Sequence, residues 1–444
     1  MSEANSFSPL EQAYLNFDQI RPLEPGREDA NFYVDLGSRS VEELRFDLTR
    51  EAGRNVKILF SGHQGCGKST LLNYLTATPE IANAFLIVKY SIQDLLDPND
   101  LDFIDILLSM ALKAYQAAER AGVGVSVSLQ DRAQRLAKQL QGLIEEEDTE
   151  ESGRSGNVGA EGSVGVPSWL EWISVKFFAR YQLEFETRKK VREHFNPHLT
   201  DLIATLNAML REIRLNLGEK GQILLLIDDT DKIPLAKSLE VFGENGLHLA
   251  KPECCVVYVV DMALVCSGRF RAIVRTIGKE VILPNLRLTD VHGQRDDAAE
   301  RDRALLRQVV RSRLVHPEDI EVEALDDAIT MSGGVMRELM SLMAKSVRNA
   351  CLVKKDRVTR DDVARAVIAT RNEYTLYADH VEMLKKVLHD PYWYPETGVE
   401  DPQSPFLELL HTLALLEYRN GEDKWRQPHP VLKKLLERPR VERP

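Results

Sequence analysis

Short, continuous apolar runs recur along the chain, separated by stretches with helical spacing. Val56 to Ser61 (VKILFS), Phe85 to Tyr90 (FLIVKY), Gln222 to Ile227 (QILLLI), Cys255 to Val260 (CVVYVV) and Glu280 to Leu283 (EVIL) each read as a fully buried strand. In each run, hydrophobic side chains fill consecutive positions instead of alternating with polar ones. Such strands, alternating with helices, predict a five-stranded parallel sheet covered on both faces, an α/β core.

About 130 residues separate the second run from the third, too many for a plain crossover. Leu101 to Arg120 and Leu129 to Glu147 have helical spacing, and a largely helical stretch resumes from Phe177 to Leu217, broken at Pro197. Between them, Gly153, Gly156, Gly159, Gly162 and Gly165 recur every third residue without the proline a collagen repeat needs, so residues 151–166 read as a flexible linker. The charged pattern around Arg188, Lys189, Lys190 and Arg192 reads as a solvated helix face.

After the fifth strand, four helices are expected at Asp296 to Leu314, Glu323 to Ser332, Arg337 to Cys351 and Arg360 to Arg371, the last opened by Thr359 with Asp361 and Asp362. Further helices fall at Val381 to Leu388 and Pro405 to Leu413. Asn420-Gly421 then sits between two strand-like halves, a strong hairpin signal. The expected organisation is an amino-terminal arm at 1–30, a core at 31–290 with a helical insertion at about 100–217, a helical lid at 291–372 and a winged-helix-like unit at 373–444.

With 444 residues, 43% hydrophobic and 28% charged, the chain is globular in composition, and no apolar run approaches the ~20 residues of a membrane span. A cytoplasmic protein without a membrane partner is expected. The net charge of −12 lacks the footprint of a non-specific nucleic-acid binder. Five cysteines, odd in number and without a CxxC pair, argue against both a disulfide framework and a structural zinc site.

The chemistry is concentrated in two motifs. Gly62-His63-Gln64-Gly65-Cys66-Gly67-Lys68-Ser69 matches GxxxxGK[ST], follows an expected strand and opens an expected helix, with Thr70 next in line. The glycines let backbone N–H groups curl around a phosphate, Lys68 reaches the terminal phosphates, and the Ser69 hydroxyl can ligate Mg²⁺. Leu224 to Asp229 (LLLIDD) supplies the complementary acids. Asp228 leaves the strand end placed to hold the metal, and Asp229 is placed to polarise an attacking water. Asp231 reads as a structural acid or helix cap. ATP, ADP and Mg²⁺ are the expected ligands, and a slow ATPase the expected activity.

Together with Ser332-Gly333-Gly334-Val335-Met336-Arg337-Glu338-Leu339, these motifs make residues 30 to 371 resemble the P-loop ATPases of the AAA+ and STAND groups, near the NACHT, KAP and origin-initiator-like branches. The resemblance implies that Arg337 reaches the γ-phosphate from the lid and that sensor 1 lies where this chain has Asp261, an acid unsuited to facing phosphate. It makes Arg269 and Arg271 either trans-acting arginine fingers or salt-bridged surface residues. It also likens Tyr33 to Leu36 to the segment flanking adenine, with a plain core strand as the equal alternative.

Two roles follow from the resemblance. One is a nucleotide-operated switch, a homo-oligomer or a complex with an effector protein acting in trans, since 30 residues ahead of the core leave no room for an effector domain; bacterial defence or regulation is the implied setting. The other is a DNA-binding ATPase like replication initiators or transposition helpers, with DNA reached through Lys424, Arg426, Lys433 and Lys434. Eight basic residues against six acidic ones from Ser404 to Pro444 leave that unit at only +2.

Overall fold

The computed structural model describes residues 7–17, 21–123, 126, 127, 130, 131, 134–136, 138–140, 142, 184–218, 221–396, 398, 399, 401 and 403–437. The expected linker at 151–166, much of the helix expected from Leu129, and Trp169 and Trp172 lie outside the described residues.

All five apolar runs are strands: β1 (Lys57–Ser61), β2 (Phe85–Ser91), β3 (Gln222–Asp228), β4 (Cys255–Val260) and β5 (Lys279–Ile282). They pair in parallel in the order β2-β3-β4-β1-β5. Successive side chains feed opposite faces. Ile58, Phe60, Leu224, Leu226, Val257 and Val259 enter one buried cluster, while Leu225, Ile227, Val256, Tyr258 and Val260 enter the other. Each face therefore needs its own cover, and that is why the strands carry no polar alternation.

The second cluster extends through the inserted helices Phe103–Arg120 and Leu199–Asn216. Phe103–Arg120 opens with a capping box between Asp102 and Asp105, which satisfies backbone donors at its first turn. The solvated face expected there holds for exposed Lys189 and is corrected at Arg188 and Arg192. Arg188 is buried and pairs with Asp100 at 2.8 Å, and Arg192 reaches Asp100 at 2.9 Å and Asp105 at 2.7 Å. A buried guanidinium needs such partners, so the helix Phe185–Phe195 is tied to the inserted helix by charge as well as packing.

The four lid helices occupy Asp297–Arg311, Val322–Met331, Met336–Leu352 and Arg360–Asn372, around a core that includes Leu306, Leu325, Leu339, Met343 and Val363. The arm contributes to this core: helix Pro9–Phe17 inserts Leu10, Ala13 and Phe17. Beyond the lid lie helices Ala378–His389 and Pro405–His411 and the antiparallel hairpin of β6 (Leu415–Arg419) and β7 (Lys424–Pro428). Asn420 closes the hairpin, its side-chain oxygen accepting from the N–H groups of Glu422 and Asp423, and Gly421 takes φ +95°. Leu384, Phe406, Leu415 and Val431 of this carboxyl-terminal unit join the core's second cluster, so the unit is packed onto the sheet side.

No described helix is long and apolar enough to cross a membrane. The cysteines are free thiols, and Cys66, Cys254, Cys255 and Cys266 are buried.

Candidate functional site

The phosphate-loop motif turns between β1 and the helix Lys68–Thr76, with Gly65 at φ +77° and Gly67 at φ +101°. Gly65 is also pressed by the lid. A Cβ there would lie 2.4 Å from Cβ of Arg337, whose backbone N–H donates to the Gly65 carbonyl at 3.0 Å. Glycine is thus required at 65 both by φ and by the close approach of the lid helix.

Lys68 is buried, and its ammonium donates to the carbonyls of Gly62 at 2.8 Å and His63 at 3.0 Å and pairs with Asp231 at 2.8 Å. Burial alone would lower its pKa, but Asp231 outweighs that and holds the ammonium above its ordinary range. The sequence reads Asp231 as a structural acid or helix cap; its partnership with Lys68 depends on the short helical turn Thr230–Lys232 folding back over the loop, which no local pattern shows.

The other two acids diverge. Asp228 ends β3, is buried and bonds the Ser69 hydroxyl; burial first, and the adjacent Asp229 charge second, push its carboxyl pKa up. The Asp228 carboxylate and the Ser69 hydroxyl are hard oxygen donors, the kind Mg²⁺ takes. Asp229 sits at φ +64°, a left-handed conformation uncommon for a residue with a side chain. Its carboxylate accepts from the Ser91 hydroxyl at 2.6 Å and pairs with Lys232 at 2.6 Å. Ser91 stands beside Asp228 in the β2–β3 register, one residue beyond the strand as read from sequence.

A cleft of about 840 Å³ opens from these residues. Gln64, Gly65, Cys66, Gly67, Lys68, Ser69, Thr70, Asp228, Asp229, Asp231 and Arg337 line it. Gly62 and His63 lie behind, with Gly62 packed on Leu283. Tyr14, Phe17, Phe32, Tyr33, Val34 and Leu36 also line the cleft, together with Arg21, Arg313, Lys345 and Arg348, and Tyr33 stacks on Tyr74 with centroids 3.5 Å apart. The amino-terminal segment crosses the cleft's edge: Leu23 N–H donates to the Thr70 hydroxyl at 3.1 Å, and its carbonyl accepts from the Asn73 amide at 2.8 Å. Arg269 and Arg271 are exposed, lie outside this cleft, and Arg269 is 3.8 Å from Glu244.

Three contacts join the site to the carboxyl-terminal unit. Nε2 of buried His63 accepts the N–H of Glu417 at 2.8 Å. The tyrosine hydroxyl of Tyr418 donates to the Gly333 carbonyl at 2.7 Å, in the loop just before Arg337. Nδ1 of His411 lies 3.2 Å from Asp261, whose other carboxylate oxygen caps Ala263 N–H at 2.6 Å. The acid that looked misplaced at the end of β4 is therefore committed to a helix cap and a histidine. Nothing in the sequence motifs marks His411, Glu417 or Tyr418. Arg426 is buried against Glu417 at 2.8 Å and is not at the surface, whereas Lys424, Lys433 and Lys434 are exposed.

No protein-family profile matches the chain, and no curated protein matches it. Solved structures similar to it include Aeropyrum pernix ORC2 in ADPNP and ADP complexes (TM-score 0.43, 12% identity, covering 95% of each chain). Another is Drosophila ORC bound to DNA (TM-score 0.40, 11% identity, 98% of this chain and 93% of that one). A third is the Thermotoga maritima RuvB Holliday junction branch migration motor (TM-score 0.36, 13% identity, 90% and 94%).

Proposed function

We propose that the protein binds ATP with Mg²⁺, hydrolyses it slowly, and acts as a nucleotide-operated switch whose carboxyl-terminal unit reads the state of the phosphate site. Lys68 and the loop N–H groups hold the phosphates, Ser69 and Asp228 hold the metal, which supplies charge neutralisation, and Asp229 orients water. Arg337 contacts the γ-phosphate.

The observation that carries this reading is the reach of one short unit to three places where a γ-phosphate would be felt: His63 in the loop, Asp261 after β4 and Gly333 before the lid arginine. A ligand shifts a conformational equilibrium only if it binds the two states differently, and these contacts lie where a bound γ-phosphate would favour one state over the other. The test is hydrogen exchange of the full chain with MgATP, MgADP and no nucleotide. Protection over β6 should differ between ATP and ADP, and the difference should vanish in Lys68→Ala; identical protection in all three conditions would remove the switch.

A second reading, a DNA-binding ATPase, is supported by the exposed Lys424, Lys433 and Lys434 of the same unit. It loses Arg426, which serves the interior. DNA affinity that falls steeply with salt and drops on replacing those three lysines would favour it.

A further inference from the structure

The three acids of Asp228-Asp229-Thr230-Asp231 have three different partners: Asp228 has the Ser69 hydroxyl, Asp229 has Ser91 and Lys232, and Asp231 has Lys68. An ammonium carries three N–H donors. On Lys68 all three are spent, on the carbonyls of Gly62 and His63 and on the Asp231 carboxylate. Two of these acceptors belong to the loop itself and are neutral. The third is a charge from another element, and a phosphate oxygen must share or displace it to gain a donor from Lys68.

Asp231 is well placed to be a persistent competitor. Only 5% of it is exposed, and its turn is pinned at two points: the Thr230 hydroxyl donates to the Val259 carbonyl, and the Gln64 side chain donates to the Asp231 carbonyl at 3.2 Å. Gln64 is part of the phosphate loop, so a loop that moves on binding phosphate also pulls on the turn that carries Asp231.

We propose that Asp231 is a built-in anionic competitor for Lys68, holding the ammonium until a nucleotide phosphate displaces it and taking it back as product leaves. It therefore lowers affinity for ATP and ADP alike and speeds their release. This rests on the nucleotide-binding reading above, and it separates Asp231 from Asp228 and Asp229, whose loss should not tighten binding.

The experiment measures MgATP and MgADP binding to the full chain by calorimetry, and release rates by stopped flow with a fluorescent ADP analogue. Wild type, Asp231→Asn and Asp231→Glu are compared, each checked for folding by circular dichroism. Asparagine keeps the size and an acceptor but not the charge. A hydrogen bond to a charged group corresponds to roughly ten- to a hundredfold in affinity. Asp231→Asn should therefore bind both nucleotides about tenfold tighter or more, with correspondingly slower release, while Asp231→Glu stays near wild type. In a Lys68→Ala background the Asp231→Asn gain should disappear. A merely structural aspartate would weaken binding when replaced; unchanged or weaker binding by folded Asp231→Asn overturns the proposal. Should asparagine prevent folding, Asp231→Ser makes the same comparison. A wild-type protein that binds neither nucleotide overturns the nucleotide reading itself and this inference with it.

Discussion

Nε2 of His63 accepts the backbone N–H of Glu417 at 2.8 Å, joining the second position of the phosphate loop to a hairpin strand 354 residues later. The ring is 2% exposed, and burial pushes its pKa down to about 4, so it stays a neutral acceptor near pH 7. Removing it leaves a buried N–H without a partner, which costs about 1–3 kcal/mol.

His63→Ala should accordingly loosen β6 from the loop. Amide exchange over Leu415–Arg419 should quicken by roughly ten- to a hundredfold, the kinetic equivalent of that penalty. Exchange in the lid helix Arg360–Asn372 should be unaffected. Uniform acceleration across the chain would mean that His63 supports the whole fold and not this junction.

The same junction carries opposed pH dependences. His63, held to about 4, and His429, buried and held to about 3, are both protonated more readily in the unfolded chain, where histidine titrates near 6.5. Their contribution to stability is lost as pH falls below about 6.5, roughly 2 kcal/mol by pH 5 for His63 alone. His411 has the reverse sign. Its hydrogen bond to Asp261 raises its pKa against the pull of burial, so its contribution is complete below 6.5 and lost as pH rises through the raised value. Asp261, held low by His411 and the Ala263 cap despite burial, remains charged throughout this window. Thermal melts from pH 5 to 9 should show maximal stability near neutrality, and His411→Asn should flatten the alkaline side only.

The sheet and its acids were legible because their signals are local: consecutive apolar residues need no distant information to be read as buried strands, and a glycine-rich turn between strand and helix has few other uses. Ser91, Asp231 and His411 were not legible in their roles for one reason. Each acquires its partner across the fold, Ser91 from the β2–β3 register, Asp231 from a turn folding onto the loop, and His411 from packing of the carboxyl-terminal unit on the sheet. The misread arginines at 188 and 192 are the same case, since a charged helix face looks solvated until Asp100 and Asp105 are seen beneath it.

Asp229→Asn should retain nucleotide and lose turnover. The amide fits the same space and still accepts from Ser91, but it cannot take a proton from water, and general-base contributions run to about 10²–10⁴-fold. Ser91→Ala should change the rate without changing ADP affinity, because Ser91 touches Asp229 and does not line the cleft. Phosphate release assays on both variants check this; wild-type turnover in Asp229→Asn would move the base elsewhere.

Arg337 allows backbone and side chain to be separated in a single substitution. Its N–H is bonded to the Gly65 carbonyl and its Cβ packs on the loop, and both survive in Arg337→Ala, so the lid remains seated on the phosphate loop. What is lost is an exposed guanidinium lining the cleft. If that group pairs with the γ-phosphate, only ATP loses a partner, and a charge-assisted hydrogen bond of about 1.5–3 kcal/mol predicts a roughly ten- to a hundredfold fall in affinity for ATP with ADP little changed. Arg337→Lys should recover part of the loss, because a point charge replaces the fork but not its bidentate geometry. Equal weakening of both nucleotides would instead assign the guanidinium to the α- or β-phosphate. The ATP-specific protection of β6 would then have to originate in contacts that do not involve the guanidinium, such as those of His63 and Asp261 with the carboxyl-terminal unit.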